Sequence, residues 1–274
     1  TPSPEHTPTS LPSPTPSALA CWQNGGRFES GSSETELLRH PLEYRVYLPP
    51  CYDELPDQVY PTLYLIHGQS YNDDQWERLG AGEAADALIA AGEAPPFVMV
   101  MPRDRVWSEP SEDKFGQAVV EVLLPWIEAN YRVISERPYR AVGGLSRGGA
   151  WALHLGFTYT ELFSAVGMHS GFAFHSDAPN LRRWLDETPD GQMPRFYLDV
   201  ADNDRPDIYD SAVWFEAMLT EFNIPHEWHI FIGYHEEAYW QAHVEQYLRW
   251  YTWGWVNGSG FKVLHSTIYR QGDE

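Results

Sequence analysis

The segment over residues 139–155 constrains the fold of this chain more than any other. A short apolar run leads into Gly-Leu-Ser-Arg-Gly at 144–148, and a helix-forming run follows it. A strand that turns directly into a helix leaves no room for side chains beside the turn, so glycine is needed on both sides of the serine. Such a turn holds the serine in a strained conformation with its hydroxyl exposed above the sheet. The pattern predicts Ser146 as a nucleophile, and the alternative is a tight turn without chemistry.

Two later strand-like runs end in the side chains that a serine nucleophile requires. A serine hydroxyl attacks well only when a base accepts its proton and an acid orients that base. Catalytic groups in open α/β sheets gather beyond the carboxyl ends of strands. The first run is followed by Asp202 and Asp204, and the second run by His235. We predict a triad of Ser146, Asp204 and His235, with Asp202 as the competing acid.

The chain contains eleven histidines, so the alternatives to His235 have to be weighed. His67 ends a strand but comes before the serine, which favours a structural role beside the oxyanion loop. His169 follows another strand and is interpreted as a pocket wall. A zinc cluster of His226, His229 and His235 is conceivable, but the triad explains His235 better. The sequence therefore predicts no metal and no cofactor.

Backbone amides that stabilise an oxyanion are expected at two places. Tetrahedral intermediates of acyl transfer need hydrogen-bond donors aimed at the developing negative charge. One donor is the amide of Arg147, directly after the nucleophile, and the other comes from an early strand-to-loop junction. The apolar run at 61–67 ends in His-Gly and is followed by Gln69. The amides of Gln69 and Arg147 are therefore the candidates.

With these residues assembled, the chain resembles the esterase D and feruloyl-esterase branch of the α/β-hydrolases, which also contains the mycolyltransferases. The matching segments, in family order, are Arg-Val-Tyr-Leu-Pro-Pro at 45–50, Tyr-Leu-Ile-His-Gly at 64–68, Gly-Gly-Leu-Ser-Arg-Gly-Gly at 143–149, Leu-Asp-Val-Ala at 198–201 and Gly-Tyr-His at 233–235. Two positions depart from the family pattern: Ala201 replaces a glycine, and Glu236-Glu237 replaces Asp-Trp. The resemblance implies hydrolysis or transfer of acyl esters, with a small-molecule or polysaccharide-linked ester as substrate.

Predicted strands and helices alternate along most of the chain. Strands are expected near 43–49, 61–67, 97–102, 139–144, 163–168, 195–200 and 226–232, and helices over 80–91, 114–130, 147–157, 208–222 and 236–252. This alternation predicts an α/β fold with a mostly parallel central sheet and helices on both faces, as in the α/β-hydrolases. Residues 254–274 are left open as an edge strand or an exposed tail.

The first twenty residues differ in composition from the rest of the chain. Fourteen of them are Thr, Pro or Ser, which predicts a disordered tether at 1–20 before a catalytic domain at 21–274. Cys21 and Cys51 are the only cysteines, and one disulfide in an oxidising compartment is favoured over two buried free thiols. Because the chain begins without Met, a signal or lipid-anchor segment is expected to have been removed. We therefore expect a secreted or surface-tethered protein.

Charge and hydropathy argue against two classes of partner. The formal net charge is −21, whereas binding to nucleic acid requires clustered Lys and Arg. The sequence contains no run of eighteen or more apolar residues, so no segment is expected to span a membrane. A length of 274 residues suits one large α/β domain with a tail.

Loops at the carboxyl ends of the predicted strands are expected to form the substrate pocket. Trp107, His169, Tyr234 and Trp240 lie in these loops, and aromatic walls suit a flat aryl or hydroxycinnamoyl ester. We therefore expect a serine carboxylic-ester hydrolase that acts through an acyl-enzyme. Two alternatives remain open: an acyltransferase of the mycolyltransferase type, and a non-catalytic extracellular binding module that has kept the fold.

Overall fold

Eight strands form one sheet in the computed structural model, which describes residues 20–189 and 191–256. The strands are β1 (Arg27–Ser33), β2 (Leu42–Leu48), β3 (Thr62–Ile66), β4 (Val98–Pro102), β5 (Arg140–Leu145), β6 (Ala165–His169), β7 (Arg195–Asn203) and β8 (His226–Tyr234). They lie side by side in the order β1-β2-β4-β3-β5-β6-β7-β8. β2 is antiparallel to both of its neighbours, and every other pairing is parallel. The carboxyl ends of β3 to β8 therefore lie along one edge of the sheet.

Helices cover both faces of this sheet. They are α1 (Gln75–Arg78), α2 (Ala81–Ala90), α3 (Phe115–Ala118), α4 (Leu124–Asn130), α5 (Arg147–Thr158), α6 (Leu181–Glu187), α7 (Pro206–Glu221) and α8 (Glu237–Val256). A π-helical turn over Val119–Leu123 joins α3 to α4. Helices α3 to α7 pack with strand residues such as Val142 on one face, and α1, α2 and α8 pack with residues such as Leu145 on the other. Because successive strand residues point to opposite faces, each buried strand contributes to both cores.

The predicted α/β architecture is confirmed, and the structure adds elements where the sequence signal is weak. The seven predicted strands and the five predicted helices are all present among the described residues. β1 is not predicted because its sequence contains a single apolar residue, as befits a polar strand at the edge of the sheet. The short helices α1 and α6 also escape prediction, since four and seven residues are too few to show helical periodicity.

The predicted disulfide between Cys21 and Cys51 is present, with Cα atoms 5.1 Å apart. Both cysteines are buried. The bond connects a short 3₁₀ helix before β1 with the loop that follows β2. It therefore fastens the start of the described chain to the body of the sheet.

Some sequence predictions concern the two ends of the chain. The tether predicted for 1–20 lies outside the described residues except for Ala20, and so do residues 257–274. The sequence left residues 254–274 open as an edge strand or a tail, and the structure shows that residues 254–256 continue α8. Within the described ranges, no helix is long and apolar enough to cross a bilayer.

Candidate active site

The predicted strand-to-helix turn is present at Ser146, between the last residue of β5 and the first residue of α5. Ser146 has a φ of 53° and a ψ of −117°, a strained conformation for a residue with a side chain. A Cβ atom on Gly144 would lie 2.2 Å from the carbonyl group of Gly148, and one on Gly148 would lie 2.1 Å from the carbonyl oxygen of Ile66. Close backbone approach therefore requires both glycines of the motif.

Ser146, His235 and Asp204 form one continuous chain of hydrogen bonds. The Ser146 Oγ atom lies 2.9 Å from His235 Nε2, and His235 Nδ1 lies 2.7 Å from Asp204 Oδ1. With Asp204 ionised, Nδ1–H donates to the carboxylate and leaves Nε2 free to accept the serine proton. The Asp204 side chain has no exposed surface, while that of His235 is 15% exposed. The arrangement matches that of a nucleophile, a base and an orienting acid.

The competing acid, Asp202, lies elsewhere. It is exposed, and its Oδ1 accepts hydrogen bonds from the amide of Gly233 at 2.9 Å and from the side chain of Asn203 at 2.8 Å. The amide of Arg205 instead donates to Asp204 Oδ1 at 2.7 Å, which fixes that carboxylate towards the imidazole. Ala201, the departure from the family pattern, therefore does not shift the register of the acid.

One expected oxyanion donor follows the nucleophile directly in the chain, and the other follows the strand next to β5. Arg147 is the first residue of α5, and the first amides of a helix have no acceptor within that helix. Gln69 follows β3, which pairs with β5 up to the turn. His67 has the expected structural role: its Nδ1 donates to the Gly68 carbonyl at 2.7 Å, and its Nε2 accepts from the Asp104 amide at 3.0 Å. Burial lowers the pKa of His67, which keeps this bridging imidazole neutral.

A buried glutamine connects the oxyanion loop with the loop of the base. Gln75 Oε1 accepts a hydrogen bond from the Gly68 amide at 2.8 Å, and Gln75 Nε2 donates to Glu237 at 3.3 Å. Arg78 binds the same carboxylate at 2.8 Å. Glu237 lies two residues after His235, in the segment that departs from the family pattern. Its side chain therefore holds the base loop against α1, a contact that sequence reasoning did not foresee.

The side chain of Arg147 also has a function that the sequence did not reveal. Its Nε donates to Asp104 Oδ2 at 2.8 Å, and both side chains are buried. The guanidinium also donates to the carbonyl oxygens of Val106 and Ser108. The residue after the nucleophile is thus bound to the loop that carries Trp107. The sequence feature that could have indicated this role is a charged residue in an otherwise apolar stretch.

Two of the four predicted pocket residues are accessible to a ligand, and two are not. Trp107 and Tyr234 are 62% and 61% exposed, so their predicted contact with substrate remains a prediction. Trp240 is 2% exposed, and its ring packs edge-on against His235 at a centroid distance of 5.1 Å. The expectation that Trp240 lines the pocket is wrong, because the first turn of α8 directs the ring inwards. Its contact instead limits the movement of the imidazole.

The interpretation of His169 as a pocket wall is also wrong. Its side chain is completely buried, and its ring stacks on Tyr247 with centroids 3.7 Å apart. Nδ1 lies 2.7 Å from Asp199 Oδ1, and Nε2 lies 3.0 Å from the hydroxyl of Tyr251. His169 ends β6 on the face that α8 covers, so a ligand at the sheet edge does not reach it.

The histidines that might have formed a zinc cluster do not converge. His226 Nδ1 lies 2.8 Å from the Ile224 carbonyl oxygen, and His229 Nε2 lies 2.8 Å from Glu227. Neither ring joins His235, which binds Asp204 and Ser146. Across 20–189 and 191–256, no group of three or more His, Cys, Asp or Glu side chains is arranged to hold a metal ion.

The order of these residues along the chain defines the class of protein. A nucleophile at a strand-to-helix turn, followed by an acid and then a histidine at the carboxyl edge of a mostly parallel sheet, is the arrangement of the α/β-hydrolases. The family model described as "Putative esterase" matches residues 35–251 of this chain. The chain belongs to this family. The matched range contains Ser146, Asp204 and His235 but not Cys21.

Individual relatives carry more specific descriptions. An endo-1,4-beta-xylanase/feruloyl esterase of Xylanibacter ruminicola is 32% identical over 141 residues, which cover 46% of this chain and 19% of that protein. The match thus spans about a fifth of the length of that curated relative. A solved ferulic acid esterase has a TM-score of 0.74 and 24% identity, with 84% of this chain and 98% of that chain covered. S-formylglutathione hydrolase from Staphylococcus aureus has a TM-score of 0.68 and 17% identity, with 83% and 99% covered. The last two likenesses concern the fold alone.

Proposed function

We propose that this protein is a serine carboxylic-ester hydrolase that acts through an acyl-enzyme. The observation that carries the proposal is the hydrogen-bonded chain from Ser146 Oγ to His235 at 2.9 Å and from His235 to Asp204 at 2.7 Å. A strained turn holds Ser146 in place, and the completely buried acid orients the base. Membership of the putative esterase family supports the same reaction.

Each step of the reaction is assigned to one of these groups. His235 Nε2 accepts the hydroxyl proton as Ser146 Oγ attacks the ester carbonyl, and Asp204 stabilises the imidazolium that results. The amides of Gln69 and Arg147 donate to the oxyanion of the tetrahedral intermediate. When the intermediate collapses, the bond to the alcohol oxygen breaks and the alcohol leaves with the proton from His235. Water, activated by the same imidazole, then releases the carboxylic acid from the serine.

The substrate that we propose is an aryl or hydroxycinnamoyl ester, as a small molecule or attached to a polysaccharide. Trp107 and Tyr234 offer exposed aromatic rings near the carboxyl edge of the sheet. Stacking of a flat ring on such a wall contributes about 0.5–1.5 kcal/mol per good contact. The feruloyl esterase among the relatives supports this choice, whereas S-formylglutathione hydrolase shares the fold with a differently named substrate. Acyl transfer differs only in that another hydroxyl replaces water in the second step.

We also propose that the protein works in an oxidising compartment, outside the cytoplasm. The Cys21–Cys51 disulfide supports this location, because cytosolic reductants keep most thiols reduced.

The proposed nucleophile is tested by labelling and by hydrolysis. A fluorophosphonate should form one covalent adduct with the wild-type protein and none with Ser146→Ala, as measured by intact mass. Hydrolysis of methyl ferulate should fall by about 10³-fold or more in that variant. Ser170→Ala is the matched control: Ser170 is also buried at the end of a neighbouring strand, its hydroxyl has no hydrogen-bond partner among the described residues, and its loss should change little. Normal hydrolysis by Ser146→Ala would refute the mechanism.

A further inference from the structure

A completely buried carboxylate lies in the core next to the triad and takes part in none of the steps above. Asp199 belongs to β7, and both of its side-chain oxygens are hydrogen-bonded. Oδ1 lies 2.7 Å from His169 Nδ1. Oδ2 accepts hydrogen bonds from the hydroxyls of Tyr239 at 2.6 Å and Tyr247 at 2.9 Å. Together with Tyr251, whose hydroxyl lies 3.0 Å from His169 Nε2, these residues form what we call the Asp199 network.

The hydrogen-bond pattern assigns the protons in this network. Three donors converge on Asp199, which is the arrangement of an ionised carboxylate. His169 donates through Nδ1, so its Nε2 accepts the hydroxyl proton of Tyr251. Burial and the neighbouring Asp199 raise the pKa of the Tyr239, Tyr247 and Tyr251 hydroxyls, which therefore keep their protons. Both oxygens of Asp199 and both ring nitrogens of His169 therefore have hydrogen-bond partners in the core.

Stability alone does not explain such a network. Replacing buried ionic groups by well-packed apolar side chains is often neutral or stabilising, because desolvation of the charge opposes folding. The network also needs space that only glycine leaves: a Cβ atom on Gly143 or on Gly167 would lie 1.7 Å from the Tyr251 hydroxyl. Two strands thus lack side chains where the tyrosine enters. The position of the network relative to the triad offers a functional reason.

The Asp199 network contacts the chain segments that carry all three triad residues. The amide of Ser146 donates to the carbonyl oxygen of His169 at 2.8 Å. β7 continues from Asp199 to its end at Asn203, directly before Asp204. Tyr239 lies four residues after His235 and follows it into the first turn of α8. The network therefore joins the nucleophile, the acid and the base through the backbone.

Tyr239 is the member that holds the base loop. Its amide donates to the Glu236 carbonyl oxygen at 3.1 Å, so a tight turn joins the His235 loop to the start of α8. Its ring packs over Gly233, where a Cβ atom would lie 2.7 Å from Tyr239 Cδ2. His235 lies in the chain between Gly233 and Tyr239, the two residues that make this contact. The hydrogen bond from the Tyr239 hydroxyl to Asp199 connects this turn to β7.

We propose that Tyr239 and Asp199 are positioning residues, which hold the His235 loop at the distance from Ser146 that proton transfer requires. His169 keeps the Asp199 carboxylate oriented towards Tyr239. The inference rests on the proposed function, since it assigns the network to the catalytic base. Catalytic groups must be held within about 0.5 Å of their productive geometry, and a 1 Å error costs up to about 10²-fold in rate.

Tyr247 provides a matched comparison on the same helix. Its hydroxyl reaches the same oxygen as that of Tyr239, and both rings are buried. It lies eight residues further along α8, about 12 Å along the helix axis, and outside the His235 loop. Removal of either hydroxyl leaves Asp199 with one donor fewer. Only the loss at Tyr239 frees the base loop.

The test compares Tyr239→Phe with Tyr247→Phe in kcat, KM and the rate of fluorophosphonate labelling. We expect Tyr239→Phe to lower kcat and the labelling rate about tenfold, with KM unchanged within about twofold. Tyr247→Phe should lower the melting temperature by about as much as Tyr239→Phe does. Its kcat and its labelling rate should both stay within about twofold of the wild-type values. Asp199→Asn should reproduce the loss of kcat. The double variant Tyr239→Phe/Asp199→Asn should be no slower than the slower single variant, because both act through one bond.

Equal losses of kcat in the two tyrosine variants, or no loss in either, would overturn the positioning role. Additive losses in the double variant would overturn it as well. Failure of the proposed function is recognised separately, because it would appear as a wild-type protein that neither hydrolyses esters nor binds the probe at Ser146. Melting temperatures of all variants show which of them remain folded under the assay conditions.

Discussion

The two carboxylates at the end of β7 lie two residues apart and differ in their access to water. Asp204 has no exposed side-chain surface and binds His235, whereas Asp202 is exposed and binds the Gly233 amide. A charge that is shielded from water interacts more strongly with a neighbouring cation than an exposed one. Asp204 is therefore the carboxylate that can stabilise an imidazolium during the reaction.

Exchange of each carboxylate for an amide separates their roles. Asp204→Asn should lower kcat by about 10³- to 10⁴-fold, because the imidazole loses both the charge and the correct tautomer. Asp202→Asn should change kcat by less than about tenfold, since the amide oxygen can still accept from the Gly233 amide. Steady-state hydrolysis of methyl ferulate measures both. The reverse ranking would assign the acid to Asp202.

At the scale of elements, α5 connects the nucleophile to a neighbouring loop through its first side chain. Arg147 and Asp104 form a buried ion pair, and Trp151 donates to the same Asp104 oxygen at 2.9 Å. The guanidinium also binds two carbonyl groups of the loop with Trp107. The position of this exposed ring thus depends on the residue that follows Ser146.

Substitution of Arg147 should therefore affect both stability and substrate binding. Arg147→Met leaves the buried Asp104 carboxylate without its cation and should lower the free energy of unfolding by about 3–5 kcal/mol. Release of the loop should raise KM for methyl ferulate more than for a butyrate ester. Denaturant unfolding and steady-state kinetics measure the two effects.

Two further variants serve as controls for this prediction. Arg249→Gln removes an exposed arginine that pairs with Glu93 and should change the free energy of unfolding by less than about 1 kcal/mol. Adding Asp104→Asn to Arg147→Met should recover part of the loss, because an amide costs less to bury than an unpaired carboxylate. Equal losses for Arg147→Met and Arg249→Gln would contradict the importance of burial.

At the scale of the whole molecule, the disulfide and the triad lie at opposite ends of the parallel strands. β2 runs antiparallel to β4, so its carboxyl end lies beside the amino ends of the parallel strands. Cys51 follows that end of β2, whereas Ser146, Asp204 and His235 follow the carboxyl ends of β5, β7 and β8. The cross-link that stabilises the fold therefore lies away from the catalytic residues.

Loss of the disulfide should consequently reduce stability without affecting turnover. The double variant Cys21→Ser/Cys51→Ser should lower the free energy of unfolding by about 3–4 kcal/mol in the chain-entropy model of cross-links. Its kcat should equal that of the wild-type protein at temperatures where both are folded. Chemical denaturation and hydrolysis kinetics test these two statements. Intact-mass detection of two free thiols in the oxidised wild type would contradict the bond itself.

The sequence by itself determined the fold class, the strand-to-helix turn, the order of the triad and the disulfide. These features depend on local constraints or on a very small choice of partners. Only glycine fits at positions 144 and 148, two residues before and two residues after Ser146. Strands that alternate with helices form a mostly parallel sheet, and two cysteines allow a single bond. Parallel strands then bring their carboxyl ends together, so Asp204 and His235 reach the serine from distant positions in the chain.

Only the tertiary structure decided the surroundings of the triad. His169 and Trp240 were expected at the pocket, but α8 covers His169 and directs the ring of Trp240 inwards. Arg147 and Gln75 bind partners on other elements. β1 could not be predicted because its polar sequence has no alternating apolar pattern. Whether an aromatic or polar side chain at a strand end faces a ligand or the core depends on which helix packs over it. That packing minimises exposed apolar surface and unpaired polar groups over the whole molecule, and no local pattern in the sequence records it.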